Sequence, residues 1–219
     1  MRPANVDLSV LELLCSKLCH DLVGPVGAVN NGMELLEDED AQDMAREAVA
    51  LAGRSAQQAA TVLQFYRLAY GAAGGRSVEF SDARKHADAL LAHSKIDVDW
   101  PALLPDGGLP LGVTKLLLNM LALAEEALAR GGRIEVVMRE AEGALEVETI
   151  ARGTEARLRE ETLQALAPDF DVDELTPRSV QAYFTALVAR RLGGELVLGL
   201  DTPDQVKLSV RLANSASAG

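Results

Sequence analysis

His20 and Asp21 put an imidazole next to a carboxylate, with Lys17 one helical turn earlier, and no other stretch of this 219-residue chain groups residues so suited to chemistry. An exposed imidazole is a nucleophile, and a neighbouring carboxylate can steer its ring. The surrounding sequence, Ser16-Lys17-Leu18-Cys19-His20-Asp21-Leu22-Val23-Gly24-Pro25, decides which way that ring points. Apolar residues recur at Leu11, Leu14, Leu18, Leu22, Val26, Val29, Met33 and Leu36, in steps of three and four, so residues 9–37 are predicted to form one long helix with a buried stripe. His20 is off that stripe. Lys17, His20, Gly24, Gly27 and Asn31 share the opposite face at helical spacing. Glycine inside a helix costs about 1 kcal/mol relative to alanine, so Gly24 and Gly27 need a reason, and close approach of a partner surface to His20 supplies one.

The elements that position this histidine follow from the same pattern. Ser9 and Glu12 have capping-box spacing at the helix start. Pro25 removes a backbone donor and should bend the helix just past His20. The acidic run Glu37-Asp38-Glu39-Asp40 breaks the pattern. A second helix, 41–70, carries the near-heptad stripe Met44, Ala48, Leu51, Ser55, Ala59, Val62, Tyr66 and Ala69. Two long helices joined by a short turn make an antiparallel hairpin. Each offers more apolar width than one neighbour covers, so a four-helix bundle in a homodimer is expected through residues 9–70. Cys15 and Cys19 flank Leu18 and are expected in the core. Two sulfurs with only His20 nearby make a poor metal set.

Gly71-Ala72-Ala73-Gly74-Gly75 reads as a linker. It divides the chain into a helical hairpin, 1–73, a second domain, 74–213, and a small polar tail, 214–219, expected to be disordered. In the second domain the pattern predicts a strand at 77–80, a helix at 82–94, a strand at 96–100 and a strongly apolar helix at 111–130. Strands at 133–139 and 145–150 follow, then helices at 155–166 and from Thr176-Pro177 to Gly193-Gly194, and a closing hairpin of 195–200 and 205–212. The order predicts an α+β fold, a mixed sheet with helices on one face.

The formal net charge is −12, and both halves are acidic: ten acids against five bases in 1–73, twenty-three against sixteen in the remainder. That argues against nucleic acid and against anionic membrane as partners. Two cysteines on one helix, no apolar run of membrane-spanning length and an acidic N-terminal stretch lead to the expectation of a cytoplasmic protein.

His20-Asp21-Leu22 followed by Pro25 resembles the phosphoacceptor box of two-component histidine kinases, in which a dimeric hairpin precedes an ATP-binding sandwich of the Bergerat (GHKL-like) type. The chain resembles more closely the ChpT-type histidine phosphotransferases of bacterial phosphorelays, which keep both parts and no longer use ATP. The resemblance covers residues 8–212. Three departures favour the second family. Leu123 stands where a kinase has its metal-binding asparagine, although Asn119 is kept; Ala151-Arg152-Gly153 keeps a glycine but lacks the adenine-recognising aspartate; Glu174-Leu175-Thr176-Pro177-Arg178-Ser179 replaces a glycine run whose amides would approach phosphates. Asn119 then remains as a relic with a local hydrogen bond.

The resemblance implies that His20 accepts a phosphoryl group from the receiver-domain aspartate of a hybrid kinase and passes it to the receiver of a response regulator. Asp21 would orient and polarise the ring, although adjacent helix residues do not normally face each other. Lys17, Gly24, Pro25, Gly27 and Asn31 would form the receiver-docking face, Lys17 and Asn31 being equally compatible with ordinary surface positions. No cofactor is expected on this chain, magnesium belonging to the partner receiver. His86 and His93 read as surface residues. A divergent ATP-dependent kinase and a non-catalytic dimeric scaffold remain open beside the phosphotransferase; nucleotide titration and label transfer to His20 separate them.

Overall fold

A computed structural model describes residues 7–37, 44–71, 79–92, 94–105, 108–200 and 202–213. The first helix, α1 (Leu8–Glu37), continues without a break through Pro25. Its N-terminus is closed by Asp7, whose Oδ1 accepts from the Ser9 amide and hydroxyl at 2.9 Å each, so Asp7 takes the capping role assigned above to Ser9. The second helix, α2 (Ala45–Ala69), runs antiparallel to it: Gly32 lies against Ala48 and Ala52, while Asp21 meets Tyr66 far along α2. At Gly32 a Cβ would come within 2.9 Å of the Ala48 carbonyl oxygen and 3.0 Å of the Ala52 Cβ. This glycine lets the two helices touch. The turn that joins them, and most of the acidic run, lie outside the described residues.

Burial in the hairpin differs from the predicted stripe. Val10, Leu14 and Gly32 are buried on α1, whereas Leu11, Val26, Met33 and Leu36 are exposed. Cys15 and Cys19 are exposed rather than in the core. The reason is geometric. Among the described residues each helix meets only one long neighbour, so half of its broad apolar arc faces outward. The 71–75 linker, Gly71 apart, and the 214–219 tail lie outside the described residues.

The second part contains α3 (Phe80–Leu91), β1 (Ile96–Asp99), α4 (Val113–Glu126), β2 (Gly132–Ala141), β3 (Ala144–Arg152), α5 (Glu160–Gln164), a 3-10 turn (Val172–Glu174), α6 (Val180–Arg191), β4 (Leu196–Gly199) and β5 (Gln205–Ala213). The strand predicted at 77–80 is corrected at its end: Phe80 opens α3, and 77–78 are not described. The helix predicted at 155–166 shrinks to α5, because Glu155 takes a positive φ of 58° in a turn. Five strands form one mixed sheet in the order β1-β2-β3-β5-β4, with β1 parallel to β2 and the other pairs antiparallel. The protein is thus α+β.

One sheet face is apolar and carries the helices. Ile134, Val136, Val147, Ala151, Val206, Leu208 and Val210 are buried there against α4 and α6. The other face alternates charge across strands, with Arg139 bonded to Glu146 at 2.7 Å, Arg152 to Glu135 at 2.6 Å and Lys207 to Glu148 at 2.6 Å. Where they are exposed, as at Arg152–Glu135, such cross-strand pairs fix register more than they add stability; Glu148 is itself buried. Leu116, Leu117, Leu118, Asn119, Met120, Leu121 and Leu123 of α4 are all buried, which marks a helix covered on every side. The sheet covers one side. Val10, Leu14, Phe65, Tyr66 and Ala69 of the hairpin join the same core from the other.

Candidate functional site

His20 stands midway along α1 with 87% of its side chain exposed. Its neighbour does reach the ring: His20 Nδ1 lies 3.1 Å from Asp21 Oδ1. A carboxylate only accepts, so the shared proton sits on Nδ1 and Nε2 is left as the nucleophilic nitrogen. Asp21 is itself held from two other directions. Its Oδ2 accepts from Lys17 Nζ at 3.2 Å and from the Tyr66 hydroxyl of α2. Burial pushes the Asp21 carboxyl up, but the Tyr66 hydrogen bond, the Lys17 charge and the bonds from His20 and Lys17 outweigh it and hold the group below the usual carboxylate range. Asp21 is therefore an ionised acceptor at neutral pH.

Of the docking face predicted from sequence, Lys17 is turned to Asp21 and three-quarters covered, which makes it part of the histidine's support. Gly24 and Asn31 are exposed; Pro25 and Gly27 are partly covered. A Cβ added at Gly24 or Gly27 would meet nothing within 4 Å. No contact among the described residues thus requires either glycine. His86 is on α3 and His93 lies outside the described residues.

Sequence reasoning missed the residues behind Asp21. Tyr66 and Tyr70 stack with ring centroids 4.8 Å apart and planes 13° apart. The Tyr70 hydroxyl donates to Gln181 Oε1 of α6. Gln181 Nε2 donates to Asn119 Oδ1 at 2.9 Å and to Thr185 Oγ1 at 3.3 Å. Asn119 Nδ2 donates to the Ala69 and Lys115 carbonyls, each at 2.8 Å. Asn119 is therefore more than a relic with a local bond: it reaches across to the end of α2. Lys115 Nζ closes the same helix end, donating to the Tyr70 and Gly71 carbonyls at 3.0 and 3.1 Å, where the helix dipole favours a cation. Burial, and then Arg191, lower the Lys115 ammonium below its ordinary value. The signal available in the sequence was Tyr66 in the apolar stripe with Tyr70 four residues on, since a buried phenol needs a partner.

Glu125 of α4 also faces this cluster. Burial pushes its carboxyl up to about 7, with Lys17 opposing and Asp21 adding to the rise. Among the described residues no group of three or more His, Cys, Asp or Glu side chains could hold a metal ion, and no helix is long and apolar enough to cross a membrane.

Comparison with known proteins gives the family. A family model for the histidine phosphotransferase C-terminal domain matches residues 80–203. The protein phosphotransferase ChpT of Brucella abortus (strain 2308) is 34% identical over 209 residues, which is 92% of this chain and 96% of that one. A solved structure of a bacterial phosphotransferase superposes with a TM-score of 0.76 at 32% identity, covering 95% of this chain and 98% of the other. With a match that spans nearly the whole of both chains, the chain belongs to the ChpT-type histidine phosphotransferases.

Proposed function

We propose that this phosphotransferase works as a relay, in which His20 accepts the phosphoryl group from a receiver-domain aspartate of a hybrid kinase and hands it to the receiver of a response regulator. The observation that carries this is the exposed imidazole whose Nδ1 is taken up by Asp21, leaving Nε2 outward. In the first half-reaction Nε2 attacks phosphorus, the N–P bond forms, and the P–O bond to the donor aspartate breaks, its electron pair leaving with that carboxylate. In the second, an oxygen of the acceptor aspartate attacks, the N–P bond breaks and the imidazole recovers its lone pair. Asp21 stabilises the positive ring of the phosphohistidine without exchanging the proton. Lys17, tied to Asp21, adds positive charge where the anion arrives. Magnesium comes with the receiver.

Gly24, Pro25, Gly27 and Asn31 form the surface on which the receiver docks, supported by the open space above both glycines. The second domain is a degenerate Bergerat-type sandwich that does not load His20 from ATP. In support, Asn119 spends its donors and acceptor on Ala69, Lys115 and Gln181, and Leu123 is fully buried. The hairpin dimerises as a four-helix bundle, supported by Leu11, Val26, Met33, Val49 and Leu63, which lie exposed along both helices; sedimentation at micromolar concentration should give twice the chain mass, and a monomer would refute the bundle. The working compartment is the cytoplasm, in keeping with two free thiols.

The test is label transfer. Mixed with a phosphorylated receiver, the wild type should gain acid-labile phosphate, and His20→Ala should gain none. Equal labelling of His20→Ala would move the acceptor elsewhere.

A further inference from the structure

We propose that Tyr66 is a positioning residue for phosphotransfer, and that the stack and hydrogen-bond chain Tyr66, Tyr70, Gln181, Asn119 lets the second domain fix the carboxylate that sets the His20 tautomer. The proposal rests on His20 being the phosphoacceptor and extends it to residues as distant as α4 and α6.

The chain has one consistent polarity. Two backbone carbonyls, Ala69 and Lys115, face the Asn119 amide nitrogen, so the amide can be oriented only one way. Its oxygen must then accept, which turns the Gln181 nitrogen toward it. The Gln181 oxygen is left facing the Tyr70 hydroxyl, which has to donate. Tyr70 in turn fixes the plane on which the Tyr66 ring lies, and the Tyr66 hydroxyl donates to Asp21. Burial raises the Tyr66 hydroxyl well above its ordinary value, with Tyr70 and the Asp21 bond adding to the rise, so it keeps its proton.

The consequence is directional. Asp21 Oδ2 is anchored by Tyr66 and Lys17, which leaves Oδ1 for the ring. An exposed imidazole on a helix would otherwise rotate freely and divide its proton between two nitrogens. A fixed acceptor beside Nδ1 keeps Nε2 ready for attack. Of the two anchors, Tyr66 is the buried one, and it stacks on Tyr70, whose hydroxyl bonds Gln181 of α6.

The test uses the full chain. Tyr66→Phe keeps the ring and its stack but removes the donor. Expected are a roughly tenfold fall in the kcat of transfer from a phosphorylated receiver, the KM for that receiver within twofold of wild type, and a shift of His20 from the Nδ1-protonated tautomer toward a mixture, read by 15N NMR of labelled histidine. Gln181→Met, two links away from Tyr66, should move both readouts the same way by less. Phe65→Leu is the packing control: Phe65 is buried beside Tyr66 and forms no part of the chain, so its loss should lower stability and leave the tautomer and kcat unchanged. An unaltered tautomer in Tyr66→Phe overturns the proposal, as does an equal shift in Phe65→Leu. Should wild-type His20 accept no phosphoryl group, the phosphoacceptor assignment fails, and the tautomer alone still decides the role of Tyr66.

Discussion

Replacing Asn119 separates its role as a tie between α4 and the end of α2 from any inherited role as a nucleotide ligand. Its side chain is fully buried and makes three hydrogen bonds, at 2.8, 2.8 and 2.9 Å. In Asn119→Ala the Lys115 carbonyl keeps its helical partner, and Gln181 keeps Thr185. The Ala69 carbonyl at the end of α2 loses its donor, and one Gln181 N–H is stranded. With about 1.5 kcal/mol for each of the two buried polar groups left without a partner, the loss comes to about 3 kcal/mol. For a domain of this size that lowers Tm by roughly 6–12 °C. Asn119→Asp should be worse at neutral pH, because an acceptor would then face the two carbonyls, and should recover partly on acidification, when the protonated acid can donate again. Thermal and urea unfolding without nucleotide measure both variants. A loss below about 1 kcal/mol for Asn119→Ala would refute the tie.

Two further outcomes follow from the same site. Gly24→Ala adds a methyl group in open space on α1, so it should raise helix stability by up to about 1 kcal/mol while slowing transfer from a receiver; unchanged transfer rates would remove the glycine from the docking surface. Glu125→Gln tests the buried carboxylate. Its folded value of about 7 lies above its ordinary value of 4.5, so between those limits the folded chain keeps a proton that the unfolded chain releases, and stability falls as pH rises through that window. Discounted for partial exposure, the variant should gain about 2 kcal/mol above pH 7, with little change near pH 4.5; a gain of equal size at both pH values would show that the effect is not titration of Glu125.

How much of this was legible in the sequence depended on how local the signal was. The two long helices, the strands flanking Glu142-Gly143 and the closing hairpin were readable because hydrophobic period and turn residues are properties of neighbours in sequence. Short elements were less so: α5 is five residues long, and Phe80 opens a helix where β-favouring Phe80 and alternating polarity pointed to a strand. His20-Asp21 was visible as a motif, yet helix geometry alone spoke against their contact; the Asp21 carboxylate bends back to the ring because Tyr66 and Lys17 hold its other oxygen. Of the network behind it, only the spacing of Tyr66 and Tyr70 showed in the sequence; their partners on α4 and α6 did not. Tyr66 and Gln181 are 115 positions apart, and only the packing of α2 on α4 and α6 brings their neighbours together. The period of three and four in α1 gave the helix but not its burial: of the predicted stripe Leu14 is buried, while Leu11, Val26, Met33 and Leu36 are exposed.

The central claim is that His20 is charged by another protein's aspartyl phosphate and not by ATP. The most direct measurement incubates the wild-type chain in parallel with γ-labelled ATP alone, in the presence of magnesium, and with a receiver already carrying labelled phosphate. Label on His20 within minutes from the receiver, none from ATP, and its departure when an unphosphorylated receiver is added is the predicted result. Label appearing on His20 from ATP alone would contradict the account.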